Sequence, residues 1–277
     1  MKGHSVAWMV SAASRRGDRV TNQDQVLLLD GALAVLDGAT SWLPQDPSQD
    51  GGWYARMLGA ALTRRLPGRD QRLAALLADA ITEVRETFAL EPDRSPYSTA
   101  TVVRWDDDLL EVFVLGDSPV VVAVRGHEPE VVADDRLEPV GSQVRSRYRQ
   151  HLRDGHGFDE TLASLIAEVQ RIERRSRNRE GGFWVAGADP MAAHHAVERT
   201  WRIDDIEAVL AMSDGAAAAV LEYGLSDWTQ TVALACSKGP AAVIAGVHAA
   251  EETDPEGRRW PRTKRHDDKT LAVLTRR

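Results

Sequence analysis

The side chains most able to do chemistry in this sequence are aspartates placed at the ends of apolar runs. Asp37, Asp117 and Asp214 each follow such a run and stand beside a glycine, and Asp267-Asp268 precede another. Carboxylates at the ends of core strands can point into one cleft. Bare, they repel: two like charges about 4 Å apart cost roughly 4 kcal/mol at an effective dielectric near 20. A cluster of this kind calls for cations, and an all-carboxylate donor set suits hard ions such as Mg²⁺ or Mn²⁺ rather than zinc. The chemistry these residues point to is metal-assisted hydrolysis. Each has a plainer reading as well. Asp37-Gly38 alone reads as a strand-ending turn, Gly116-Asp117 as a hairpin turn, and only the series favours ligands.

The rest of the composition narrows the class. The chain has 277 residues, 43% hydrophobic and 27% charged, which is globular rather than disordered. Its 34 basic and 42 acidic residues give a net charge of −8, so nucleic acid and anionic membranes are not expected partners. With Cys236 alone, neither an intrachain disulfide nor a multi-thiolate zinc site can form. No apolar run approaches the roughly 20 residues that cross a bilayer. The first residues faintly resemble a short signal peptide, but His4, Ser5 and Trp8 interrupt it. A cytoplasmic protein is expected.

Elements must hold these aspartates in place. Apolar runs bounded by turn residues predict strands over Ser5–Ala13, Gln25–Leu29, Leu33–Leu36, Thr99–Trp105, Leu109–Leu115, Val120–Val124, His195–Arg202, Ala208–Met212 and Thr270–Thr275. Asp30-Gly31 is a two-residue hairpin signal, and Asp106-Asp107-Asp108 reads as a solvated hairpin tip rather than a metal site. Helices are predicted over Trp53–Leu66, Gln71–Leu90, Asp159–Arg177, Gly215–Tyr223, Asp227–Ser237 and Ala241–Glu252. Asp70 and Ser226 are the expected N-caps and Gly224 a C-cap. Hairpin-linked strands with helices inserted in pairs predict an α+β class, and the length by itself allows one large domain or two small ones. The basic run Arg171–Arg179 lacks interleaved aromatics and reads as a solvated helix face or a protein-docking patch. His194-His195, as neighbours on a strand, would face opposite ways and so are read as structural. The irregular stretches Ser41–Gly52 and Thr253–Arg265 flank the acidic motifs and are candidate active-site loops.

Six short motifs occur in order along nearly the whole chain. They are Arg19-Val20-Thr21-Asn22-Gln23-Asp24, Val35-Leu36-Asp37-Gly38, Ser98-Thr99-Ala100, Leu115-Gly116-Asp117-Ser118, Met212-Ser213-Asp214-Gly215 and Asp267-Asp268-Lys269-Thr270. Together they resemble the metal-dependent protein phosphatases, the type 2C serine/threonine family, in its bacterial form. The resemblance implies a single domain over residues 1–277, a four-layer α-β-β-α sandwich: two antiparallel sheets flanked by helix pairs, with a two-metal Mn²⁺ or Mg²⁺ site at one edge. It implies that Asp37 bridges both ions and that the Gly38 carbonyl ligates one. Asp214 and Asp267 would complete the other shell, and Asp24 would orient a metal-bound water. Arg19 would hold the phosphate, and Asp117 with Asp214 would take a third, weaker ion. Asp268 would make structural hydrogen bonds. The implied reaction is hydrolysis of phosphoserine or phosphothreonine in a protein substrate by a metal-bridging hydroxide, opposite a serine/threonine kinase. A catalytically weak, phosphatase-like binding protein and a phosphatase of small phosphate esters are the alternatives.

The sequence departs from the family pattern in three places, one of them Gln23, which stands where some relatives carry a glutamate. After Asp37-Gly38 the family's His or Met and glycine pair are absent; Gly51-Gly52 appears about a dozen residues later. An inserted loop carrying Trp42, Pro44 and Pro47 is expected to reshape one cleft wall. The region from Glu128 to Gly182 carries no recognisable motif.

Overall fold

A computed structural model of the chain describes residues 7–39, 46 and 48–276. Among the described residues, eleven strands form two antiparallel sheets. In chain order the strands are β1 (Trp8–Arg15), β2 (Asp24–Leu29), β3 (Ala32–Ala39), β4 (Tyr97–Ser98), β5 (Ala100–Trp105), β6 (Leu109–Leu115), β7 (Val120–Val124), β8 (Glu130–Val132), β9 (Val197–Arg202), β10 (Ile206–Met212) and β11 (Lys269–Arg276). One sheet has the order β1-β11-β10-β7-β8. The other runs β2-β3-β5-β6-β9, with β4 pairing onto β3. The helices are α1 (Gly51–Thr63), α2 (Leu73–Thr87), α3 (Ser142–Arg153), α4 (Glu160–Ser176), α5 (Asp214–Leu221), α6 (Trp228–Lys238) and α7 (Pro240–Glu252).

Strand alternation builds the layers. In β3, Leu33 and Val35 enter the core between the sheets, while Ala32, Ala34 and Leu36 face α1 and α2. In β11, Ala272 and Leu274 face the inter-sheet core, and Leu271 and Val273 pack under α5, α6 and α7. The expected order of helices, sheet, sheet and helices follows from these two-faced strands. The region without a motif forms a helical hairpin, α3 on α4, with its own small core of Val144, Tyr148, Leu152, Leu162, Leu165 and Val169.

Several boundaries differ from expectation for identifiable reasons. β3 continues through Asp37 and Gly38 to Ala39, because β2 and then β4 pair with it, so Asp37-Gly38 is not a turn. α1 begins at Gly51, capped by the Asp50 carboxylate accepting from Trp53 N at 2.7 Å. Arg72, not Asp70, precedes α2. Asp227, not Ser226, caps α6, closing a reciprocal box with Gln230. Gly224 does adopt a left-handed φ of 59°, two residues beyond the cap of α5 at Glu222. His194 and His195 end a 3-10 turn started at Pro190 rather than opening β9. The His195 ring stacks on Trp184 with centroids 3.5 Å apart, which makes it structural for a different reason. The basic run at the end of α4 is partly an internal latch: Arg177 lies over the Tyr97 ring at 4.3 Å and donates to the Pro92 carbonyl. The Trp42, Pro44 and Pro47 wall falls on residues outside those described.

One contact fixes where α1 starts. A Cβ on Gly51 would stand 2.4 Å from Ala39 N, and one on Gly38 would stand 2.2 Å from the Gly51 carbonyl oxygen. Only bare backbone lets the helix begin against the strand that carries Asp37. Gly51→Ala should therefore destabilise the fold by about 1–3 kcal/mol, the usual cost of overpacking. Gly246→Ala, in α7 with open space where the Cβ would go, should stabilise it by about 0.5–1 kcal/mol. Paired urea melts check both signs.

Candidate active site

Antiparallel pairing gathers the acidic strand ends at one end of the sandwich. Asp24 opens β2 directly opposite Asp37 in β3. Alternation puts Asp37 on the same face as Leu33 and Val35, at the mouth of the inter-sheet core. β10 ends at Met212, paired with Leu271 near the start of β11, so Asp214 and Asp267 arrive from the other sheet. Asp117 sits in the turn from β6 to β7 at the same end.

Hydroxyls and amides brace this end of the molecule. Thr99 Oγ1 accepts from Asp37 N at 3.0 Å and lies 2.7 Å from Ser118 Oγ, tying two of the acidic segments together. Ser213 Oγ donates to Asp24 Oδ2 at 2.8 Å and accepts from Thr270 N at 2.9 Å. Asp268 accepts from Gly17 N at 2.7 Å and Gln23 N at 2.9 Å, as expected of a structural partner. It thereby clamps both ends of the β1–β2 loop beside Asp267, and Arg19 is exposed on that loop. Thr99, Ser118, Ser213 and Thr270 were legible only as parts of the motifs. Nothing in their spacing marked them as supports.

The electrostatics are those of a site short of positive charge. Burial raises Asp24 to about 6, with Asp268 and Asp267 adding and hydrogen bonds from Ser213 and Thr270 opposing. Desolvation, then the charges of Asp24, Asp214 and Asp267, push Asp37 well above the usual carboxylate range. Asp214 keeps open surface at the cleft. Desolvation and then the charges of Asp267 and Asp117 raise it as well. Asp117 is raised by desolvation and by Glu173. Lys264 is a site residue that the sequence did not single out. Its Nζ lies 2.5 Å from Asp267 Oδ1. Burial would lower its pKa, but Asp267, Asp214 and Asp37 outweigh that and raise it.

Divalent ions fit what is present. The donors are all oxygens, the deficit is positive charge, and Asp24 Oδ1 is buried with no hydrogen-bond partner among the described residues. Among those residues, the three groups converging within 4.8 Å are not the aspartates but His248, Glu251 and His266, behind the site. Two features argue against an ion there. The two imidazoles stack face to face at 4.2 Å, so their in-plane lone pairs do not meet. The buried Lys269 ammonium already lies 2.8 Å from Glu251 Oε2. The cluster is a hydrogen-bond network around the Lys269–Glu251 ion pair, and it holds the segment that carries Asp267.

The comparisons with known proteins agree with this geometry. The protein phosphatase 2C family model matches residues 13–243, most of the chain, so the chain belongs to the protein phosphatase 2C family. It is a metal-dependent protein-serine/threonine phosphatase by that membership. No curated protein matches it by sequence. Among solved structures, the PPM Ser-Thr phosphatase MsPP of Mycobacterium smegmatis, in complex with cacodylate, is 22% identical, with 99% of this chain and 100% of that one covered and a TM-score of 0.57. Stp1 of Staphylococcus aureus is 12% identical over 100% of both chains, with a TM-score of 0.61. The catalytic domain of the phosphatase PstP, solved with two manganese ions, is 18% identical over 97% of each chain, with a TM-score of 0.56. At these identities the likeness shows the shared fold. No described helix is long and apolar enough to cross a membrane.

The raised carboxylates give a pH signature. Asp24 titrates near 6 when folded and at roughly 4 when unfolded, so between those values the folded chain holds a proton the unfolded chain lacks. Ion-free stability should fall as pH rises through this window, with Asp37 and Asp214 acting in the same direction. In EDTA the melting temperature should be higher near pH 5 than near pH 7.5, and Asp24→Asn should flatten the dependence. A wild-type profile rising toward pH 7.5 would contradict the assignment.

Proposed function

We propose that the cleft at this end of the sandwich hydrolyses phosphoserine and phosphothreonine in proteins with two Mn²⁺ or Mg²⁺ ions. The observation that carries the reading is the gathering of Asp24, Asp37, Asp214 and Asp267 at one end of the sandwich, with Asp37 pushed well above the usual carboxylate range and Asp24 Oδ1 buried and unpartnered among the described residues. When bound, the ions supply an activated water as nucleophile and neutralise the phosphate. Asp37 and the Gly38 carbonyl would hold one ion, and Asp37, Asp214 and Asp267 the other. Asp117 and Asp214 feel each other's charge, which supports a third, weaker position between them.

The chain's own residues do the rest. Asp24 Oδ1 accepts a hydrogen bond from the attacking water and orients it, while Ser213 Oγ fixes the other carboxylate oxygen. Arg19, on the loop clamped by Asp268, meets the phosphate with two forked N–H groups. The N-terminus of α1 starts against Gly38 and adds a partial positive charge at the cleft. The full aspartate set supports an active enzyme over a binding protein that has lost catalysis. Its biological counterpart is a serine/threonine kinase, and we place it in the cytoplasm; its substrates are phosphorylated proteins.

Three outcomes test this reading. Phosphatase activity on a phosphothreonine peptide should need Mn²⁺ or Mg²⁺, vanish in EDTA and be indifferent to Cys236→Ser; full activity in EDTA would refute it. Asp37→Ala and Asp214→Ala should each lose about 10³-fold or more of the rate while remaining folded by circular dichroism. Arg19→Ala should lower kcat/KM by about 10–100-fold, mostly through KM, at unchanged Mn²⁺ affinity, and Arg19→Lys should recover part of the loss. Unchanged kinetics in Arg19→Ala would return it to the solvated surface.

A further inference from the structure

Lys264 is built into the acidic cleft rather than waving over it. Arg262 is buried and frames the turn that presents it. The Arg262 guanidinium donates to Asp254 Oδ2 at 3.0 Å, to the Asp254 carbonyl at 2.6 Å and to the Glu251 carbonyl at 3.2 Å. It also donates to the Arg265 carbonyl at 2.8 Å, which closes the turn around residue 264. From that turn the Lys264 ammonium reaches Asp267 Oδ1, which also accepts from Asp268 N at 2.9 Å. One oxygen of a carboxylate that the proposed function assigns to an ion is therefore already saturated. Asp267 is correspondingly not drawn into a tight chelate with Asp37 and Asp214: among the described residues no three of these aspartates converge within 4.8 Å.

An ammonium and a divalent ion cannot share that oxygen cheaply. At about 4 Å an ammonium and a divalent ion repel roughly twice as strongly as two carboxylates, because the charge product is doubled. The residue's four-carbon stem is long and flexible enough to withdraw, whereas a guanidinium in a framed fork would not be. We propose that Lys264 is a tethered counter-ion of the phosphatase site: it neutralises Asp267 while the second divalent position is empty and is exchanged for the incoming ion. The proposal rests on the two-ion reading of the cleft. It implies that the two ions bind with unequal affinity, because the second must displace a charge the first does not meet. It also implies that the ion-free chain is protected from part of its own carboxylate repulsion.

The test is a calorimetric Mn²⁺ titration of the full chain, wild type against Lys264→Gln, with Lys238→Gln as a distant control and Asp37→Ala to identify the site. The expected result is that Lys264→Gln tightens the weaker Mn²⁺ event by roughly tenfold or more, the scale of one charge-assisted hydrogen bond no longer broken. The stronger event and the Lys238→Gln profile should stay unchanged. In EDTA, Lys264→Gln should melt below wild type, and the Mn²⁺-induced rise in Tm should be larger than in wild type. Acylation of Lys264 by an amine reagent, read by mass spectrometry, should be slow in EDTA and faster with Mn²⁺. Equal or weaker Mn²⁺ binding in Lys264→Gln, or a Lys264 as protected with Mn²⁺ as without it, would overturn the exchange while leaving the two-ion site standing. Wild type that takes up no Mn²⁺, or Asp37→Ala that takes it up normally, would overturn the site itself and the exchange with it.

Discussion

Everything at the functional end of this molecule answers to one constraint: several carboxylates must stay close together where little water can screen them. Their mutual repulsion, at a few kcal/mol per close pair, is comparable with a large part of a domain's net stability. The fold does not avoid the problem; it concentrates it. Two sheets pack face to face, and the strands that bring Asp24, Asp37, Asp214 and Asp267 all terminate at the same end. The price in ion-free stability is the counterpart of affinity for divalent ions, because the same free energy that raises the carboxyl pKa values is released when cations enter.

That constraint explains the hydroxyls around the cleft. Thr99, Ser118, Ser213 and Thr270 add hydrogen bonds without adding charge. Thr99 Oγ1 holds the Asp37 amide and pairs with Ser118 Oγ, while Ser213 Oγ holds an Asp24 carboxylate oxygen and the Thr270 amide. A network of charged supports at the same positions would either neutralise the site or increase its repulsion. Positive charge is instead held at two ranges. Lys264 reaches Asp267 directly, and Lys269 stays behind it, 0% exposed, against Glu251.

Much of this was legible in the sequence because strand ends with Asp-Gly and Gly-Asp are local signals. The limits of β6 and β7 read straight from their apolar runs, and so did the hairpin at Asp30-Gly31. What escaped had weak local signals. α3 is mostly polar, and its inward residues, Val144, Tyr148 and Leu152, recur every four positions but pack with α4 in a small separate core rather than in the cores of the sheets. β8 is a three-residue edge strand, too short for a pattern. The helix start at Gly51 was obscured because two glycines are poor helix formers; the close approach of Gly51 to Gly38 requires the first of them, and that is a tertiary fact. Lys264 escaped for the same reason. A single lysine in an irregular stretch has no spacing to read, and its meaning depends on the turn that Arg262 frames.

The placement of Asp267 shows how a buried ion pair can serve geometry rather than stability. Glu251 in α7 is 1% exposed and receives Lys269 Nζ at 2.8 Å, His266 Nδ1 at 2.7 Å and the Tyr223 hydroxyl at 3.1 Å. Lys269 Nζ also donates to the Asp267 carbonyl at 2.7 Å. Burying such a pair costs several kcal/mol per ion in desolvation, and an apolar replacement would often be as stable. An apolar contact, however, has no direction. The ammonium between Glu251 and the Asp267 carbonyl fixes the backbone of residues 266 to 269 against α7. That keeps the Asp267 main chain still while its side chain meets Lys264. A ligand that must exchange partners needs a rigid root, and the buried pair supplies one on the side of the strand that faces away from the chemistry.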